Sequence, residues 1–212
     1  MDDSLNIVAK VLSVLLYPLF IPTYGVAIFC MAYSLHVIPL APVWQVIAIC
    51  GTLLLTCIIP VTAIWILMKK GEVTDLQIAD AHERKMPFLY TVLGFCFWCY
   101  LLIAILHVPL SIAFVAVGAT TAIAFVALIN YFWKISAHLT GFGGLVGGIF
   151  SYCLGLGAIP TWGLLTALLV LSLALMYARL RLDAHTPAQV CTGWLLGLSC
   201  TFIPFCIYCY VA

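Results

Sequence analysis

The stretch NYFWKISAHLTG, residues 130–141, sets a lysine, a serine and a histidine within five positions of one another, between two long apolar runs. Two other junctions share its character: HERKMP at 82–87 and RLRLDAHTPAQ at 179–189. The chain carries only eight Lys and Arg and seven Asp and Glu on 212 residues, so the position of each polar junction is informative. The three are expected to meet on one side of a membrane and to form one phosphate-handling site.

Composition sets the class. The chain is 66% apolar and 7% charged, with a mean hydropathy of +1.25. Soluble domains carry roughly 25% charged residues. So few charges cannot surface a water-soluble fold of this length, and the expected fold is an all-α, polytopic membrane helical bundle. Residues 1–212 read as one transmembrane domain with no soluble domain. The acidic start, MDDSLNIVAK, does not read as a cleaved signal peptide. Most of the ten cysteines lie inside apolar runs and read as small hydrophobes. Cys206 and Cys209 form a CxxC, but no second pair accompanies it, so no metal or redox site is expected. A net charge of +1 leaves no nucleic-acid footprint.

A spanning helix needs about 20 mostly apolar residues. Six to seven are expected, from the candidates 7–33, 43–68, 87–107, 110–132, 137–156, 160–180 and 187–210. In the first, Pro18 and Pro22 must kink the helix or split it into an interfacial piece and a span. The third and fourth are joined by little more than His107-Val108-Pro109 and form a tight hairpin. Every second junction then falls on the same face, which collects all the charges, while the opposite loops carry none.

The junctions hold the chemistry. Thr186-Pro187 is a good N-cap and N1 pair, so the last helix should begin there. Gln189, four residues after His185, can bond its imidazole. Ser136 can cap the helix whose first turn holds His138. Helix N-termini present free N–H groups and the positive end of a dipole, which favour phosphate. Lys134, Arg179, Arg84 and Lys85 add cations. Phosphoryl transfer through histidine needs such parts: a nucleophile, an acid for the leaving oxygen and charge for the equatorial oxygens.

These residues resemble the type 2 phosphatidic acid phosphatase (PAP2) family of membrane phosphatases. That family's third motif is Ser-Arg, five residues, His, three residues, Asp; here Ala178-Arg179 precedes His185 and Gln189 at those spacings. Its second motif, Pro-Ser-Gly-His, stands as Ile135-Ser136-Ala137-His138. Its first, Lys, six residues, Arg-Pro, survives in outline as Arg84-Lys85-Met86-Pro87, with Gln77 seven residues before Arg84. The resemblance covers about 69–206. It implies His185 as the nucleophile that forms a phosphohistidine and His138 as the general acid. It implies Ser136 and Arg179 as ligands of phosphate oxygens, with Arg84 or Lys85 in place of the first-motif cations. Lys134 has no counterpart in the family but is close enough to contribute.

Gln189 replaces the aspartate that orients the nucleophile in the family. An amide oxygen can accept the Nδ1 hydrogen and fix the tautomer, but it does not stabilise an imidazolium as a carboxylate does. Asp183 lies two residues before His185, in a turn. The leading expectation is hydrolysis of a lipid phosphate or diphosphate, a phosphatidyl phosphate or an isoprenoid diphosphate, with no cofactor. No carboxylate cluster suggests a metal. The alternative is a weak or inactive relative that binds lipid headgroups or serves as a membrane scaffold, which Gln189 favours. A small transporter is a third reading, opposed by the lack of mid-span ionisable residues apart from Lys10.

Other features have structural readings. The pairs Gly143/Gly147, Gly144/Gly148 and Gly193/Gly197 read as close helix packing, not as a phosphate loop. Arg181, Lys69 and Lys70 read as anchors of helix ends, and His36 and His107 as interfacial. All eight Lys and Arg lie on the motif side, which by positive-inside counting makes that side of the cell membrane cytoplasmic, although the family often works on the outer surface.

Overall fold

The computed structural model describes residues 2–36, 41–74, 82–155 and 162–211, and all their regular structure is helical. Of the kink or split expected at Pro18 and Pro22, the chain shows the split, into α1 (Asp2–Leu15) and α2 (Ile21–His36). Pro18 has no N–H with which to continue α1. Pro22 sits in the first turn of α2, where a missing N–H costs nothing.

α3 (Pro42–Leu53) runs through a π-helical turn, Leu54–Ile58, into α4 (Ile59–Lys69). Pro60 stands just past that wider turn and cannot donate to the helix, a common cause of such local rearrangement. α5 (Lys85–Tyr100) likewise ends in a π-turn, Leu101–Ile105. His107, at φ 48°, then turns the chain sharply into α6 (Leu110–Ile129). The tight hairpin read from 107–109 is therefore present. α7 (Ala137–Gly155), α8 (Trp162–Arg181) and α9 (Pro187–Val211) follow.

Among the described residues, five helices are long and apolar enough to cross a membrane: Pro42–Lys69, Lys85–Ile105, Ile112–Ile129, Trp162–Arg181 and Pro187–Tyr208. That is fewer than the six to seven expected. Broken by proline, the first candidate leaves only short apolar pieces, Ser4–Leu15 and Ile21–Met31. The fifth candidate is α7, a 19-residue helix rich in glycine that stands apart from those five.

α7 occupies the interior, against α2, α6, α8 and α9. Leu139, Phe142 and Ile149 from it are almost fully buried in one apolar cluster with Leu175 and Val190. The paired glycines act as read from the sequence. A Cβ on Gly143 would collide with the Trp194 carbonyl, and one on Gly197 with the Thr140 carbonyl. A Cβ on Gly193 would lie 2.7 Å from the Ser136 carbonyl oxygen. A carbonyl can approach this closely only where the facing residue carries no side chain. Thr201 closes the seam by donating its hydroxyl to the Gly144 carbonyl at 3.0 Å.

Proline shapes α9 as well. Pro204 offers no N–H to the Cys200 carbonyl, and that carbonyl faces Gly118 of α6. On the other side of the bundle, Thr56 donates to the Leu19 carbonyl at 3.2 Å and Trp98 donates to Thr52 at 2.8 Å. The first bond ties the 16–20 link between α1 and α2 to the π-turn at Leu54–Ile58, and the second joins α5 to α3.

Candidate functional site

The ends of α4, α6 and α8 and the starts of α5, α7 and α9 are at one end of the bundle. A cavity of about 340 Å³ opens among them. Arg84, Lys134, His138, Arg179 and His185 all line it. The three polar junctions of the sequence therefore meet around one cavity, and both histidines face it from the same side of the fold. Gln77 of the first-motif comparison lies outside the described residues.

His185 is set by the way two helices end and begin. α8 closes in a Schellman motif: Ala184 N–H donates to the Arg179 carbonyl at 3.1 Å and Asp183 N–H to the Leu180 carbonyl at 3.0 Å. Asp183 takes the left-handed conformation this motif requires, at φ 49°. α9 opens with a capping box. Thr186 N–H donates to Gln189 Oε1 at 3.0 Å, and Gln189 N–H donates back to Thr186 Oγ1 at 3.4 Å. His185 is clamped between the two caps.

The capping box also decides the tautomer. Gln189 Oε1 accepts the Thr186 N–H, so the amide presents its oxygen to His185 Nδ1, 3.2 Å away. An amide oxygen only accepts, so Nδ1 carries the hydrogen and Nε2 the lone pair. Burial pushes the His185 pKa down, to about 4. The charge of Arg179 adds to this, the bond to Gln189 opposes it, and Lys134 and Arg84 lower it further. At neutral pH the ring is uncharged and nucleophilic.

His138 is held from an unexpected direction. Its Nε2 lies 3.1 Å from the Ser13 carbonyl of α1, so Nε2 carries a hydrogen. Helix ends leave their last carbonyls without helical partners. In α1, Leu12 is served by Leu16 N–H, Val14 by Tyr17 N–H, Leu15 by the Tyr24 hydroxyl and Ser13 by His138. Tyr17 packs edge-on against the His138 ring at 5.5 Å between centroids, and it lines the cavity too.

The cations come from three helix ends. Arg84 is buried and donates to Asn130 Oδ1 at 3.0 Å, while Asn130 Nδ2 donates to the Val126 carbonyl at 2.8 Å. Arg179 is only 8% exposed, and its Nε has no hydrogen-bond partner among the described residues. The Lys134 pKa is lowered, first by burial and then by the charges of Arg84 and Arg179. Three cations thus crowd one wall and repel each other, with Asp183 on the rim.

Two expected site residues lie elsewhere. Lys85 is exposed and points away, its Nζ 5.6 Å from the Tyr131 ring. Its neighbour Arg84 takes the inward position, since adjacent residues on a helix face different ways. Ser136 is fully buried and off the cavity lining, and its Oγ has no partner among the described residues. Its backbone explains this: Ser136 N–H donates to the Gln189 carbonyl at 3.4 Å and its own carbonyl faces Gly193, which turns the residue into the α7–α9 seam. Ser136 still precedes the first turn of α7, with its carbonyl accepting Thr140 N–H at 3.0 Å, but without a side-chain cap.

Three contributors were missed in the sequence: Tyr17, Asn130 and the Ser13 carbonyl. Asn130 had a signal, a lone amide at the end of an apolar run. Tyr17 and Ser13 had none, because nothing local shows that α1 folds back to the site. Comparison of the chain with protein-family models, with curated proteins and with solved structures finds no match.

Proposed function

We propose that this cavity is the active site of a PAP2-like membrane phosphatase that hydrolyses a lipid phosphate or diphosphate in the cell membrane. One observation carries the reading: Arg84, Lys134 and Arg179 line the same cavity as both histidines. Buried cations that crowd one another are costly, and a phosphate is a well-matched partner for them. Arg84 and Lys134 supply further positive charge for the equatorial oxygens.

In this mechanism His185 Nε2 attacks phosphorus and the bond to the leaving oxygen breaks. His138 gives that oxygen a proton. Because Ser13 holds the Nε2 hydrogen, His138 works through Nδ1, which takes the proton carried by the bound phosphate monoanion and passes it to the leaving oxygen. Water then attacks the phosphohistidine and returns a proton to His138, and orthophosphate leaves. Through both steps Gln189 holds the Nδ1 hydrogen of His185.

A second reading, a headgroup-binding protein without turnover, is favoured by Gln189. Its oxygen already serves the α9 cap and gives His185 no negative charge. Phosphate release from a lipid phosphate in detergent micelles, without added divalent metal, separates the two. Turnover that His185→Ala abolishes is expected; equal release from wild type and His185→Ala would overturn the phosphatase reading.

A further inference from the structure

A second cavity, of about 80 Å³, shares Pro18, Leu19, Ile123 and Ala137 with the wall of the polar one. Its lining is apolar apart from Thr140, whose hydroxyl is already committed to the Ser136 carbonyl at 3.0 Å. The lining follows one stripe of α7, from Ala137 through Gly141 and Gly144 to Gly148. It also follows one stripe of α6, from Ile123 back through Ala119 to Ile112. Each stripe covers eleven residue steps, or about 16 Å of helix axis. The cavity is therefore a slot parallel to the spanning helices, and its site-side end shares a wall with the polar cavity.

From this geometry we infer that the slot binds one hydrocarbon chain of the amphiphile whose phosphate occupies the polar cavity; the inference rests on the proposed site. The length is that of one leaflet, half of a hydrocarbon core about 30 Å thick. The direction is that of a chain in a bilayer, with the charged group at the motif end. The width admits a single file. At about one water-sized group per 10–15 Å³, the open space takes on the order of six such groups, fewer than a chain of that length carries, so lining side chains must shift to admit the rest. A two-chain lipid would have to leave its second chain outside, so single-chain phosphates are the preferred ligands. The small residues are alanine on the α6 stripe, at Ala116, Ala119 and Ala122, and glycine on the α7 stripe.

Two measurements test this. Hexadecyl phosphate carrying a terminal diazirine is photolysed with the full-length protein in micelles, and the labelled residues are mapped by mass spectrometry. Label on the slot stripes of α6 and α7, lost in Ala119→Phe, is expected whether or not the protein hydrolyses the probe. Label confined to outward-facing residues such as Phe97 and Leu93, or unchanged in Ala119→Phe, would overturn the slot. In parallel, phosphate release is compared for hexadecyl phosphate and p-nitrophenyl phosphate. Filling the slot should raise KM for the long chain about tenfold or more, the worth of two or more buried methylenes, and leave the short substrate unchanged. Equal effects on both substrates would count against the slot. Slot labelling without any release would remove the phosphatase reading and leave the chain site standing. Release without slot labelling would do the reverse.

Discussion

Gln189 Oε1 lies 3.2 Å from His185 Nδ1 while it accepts the Thr186 backbone N–H at 3.0 Å. One amide oxygen thus closes a helix cap and sets the tautomer of the histidine facing the cavity. Substitutions at Gln189 separate the two roles. Gln189→Glu keeps the capping box, since glutamate serves as well there, and places a carboxylate against Nδ1. The His185 pKa should then rise from about 4. The acid limb of kcat/KM for phosphate release should sit near 4 in wild type and move up in the variant. The substrate's own second ionisation, near pH 6, shifts both profiles alike, so their difference isolates the ring. An unmoved acid limb would break the link between the two residues.

The same depressed pKa has a consequence for stability. Between the ordinary histidine value of 6.5 and about 4, the unfolded chain binds a proton that the folded chain refuses. Stability therefore falls as pH drops through that window. Thermal unfolding in detergent at pH 7 and pH 4.5 should show the loss, and His185→Gln should reduce it. An identical loss in His185→Gln would assign it to other groups.

Gly197 is the tightest point of the α7–α9 seam, where a Cβ would run into the Thr140 carbonyl. Gly197→Leu should destabilise the protein by about 1–3 kcal/mol or more. Gly163 has nothing within 4 Å of where its Cβ would stand, and it lies in α8. Gly163→Ala should be neutral or stabilise by up to about 1 kcal/mol. Melting temperatures of the two variants in one detergent make the comparison; similar shifts in both would deny the seam its role.

Sidedness follows from charge. Positive-inside counting predicts that the cavity end faces the cytoplasm. Placed in an otherwise cysteine-free chain, a cysteine at the exposed Glu72 should resist a membrane-impermeant maleimide in intact cells and react after lysis. Reaction in cells whose outer envelope alone is permeabilised would place the cavity outside.

Much of this arrangement was legible because so few residues are polar. Arg84, Lys134, His138, Arg179 and His185 could be read as one group from parity alone, since every second junction shares a face. Gln189 was placed correctly against His185 because four residues make one helical turn, whereas its duty in the cap shows only in the bonds themselves. Ser136 was misjudged for a reason local sequence does not carry: its orientation is set by α9, more than fifty residues away. Tyr17 and Ser13 were invisible on the same ground. Their contacts depend on how α1 returns across the bundle after the proline break, not on any pattern around them.

The glycine seam between α7 and α9 also fixes an order of assembly. α7 emerges from the ribosome with its smooth face turned to whatever surrounds it, and its partner follows only after all of α8 has been made. Until α9 docks, Gln189 has no Ser136 to receive and His185 has no place opposite His138. Integration of α9 is thus the step that completes the cavity, and any fault in it leaves a chain that is inserted without one.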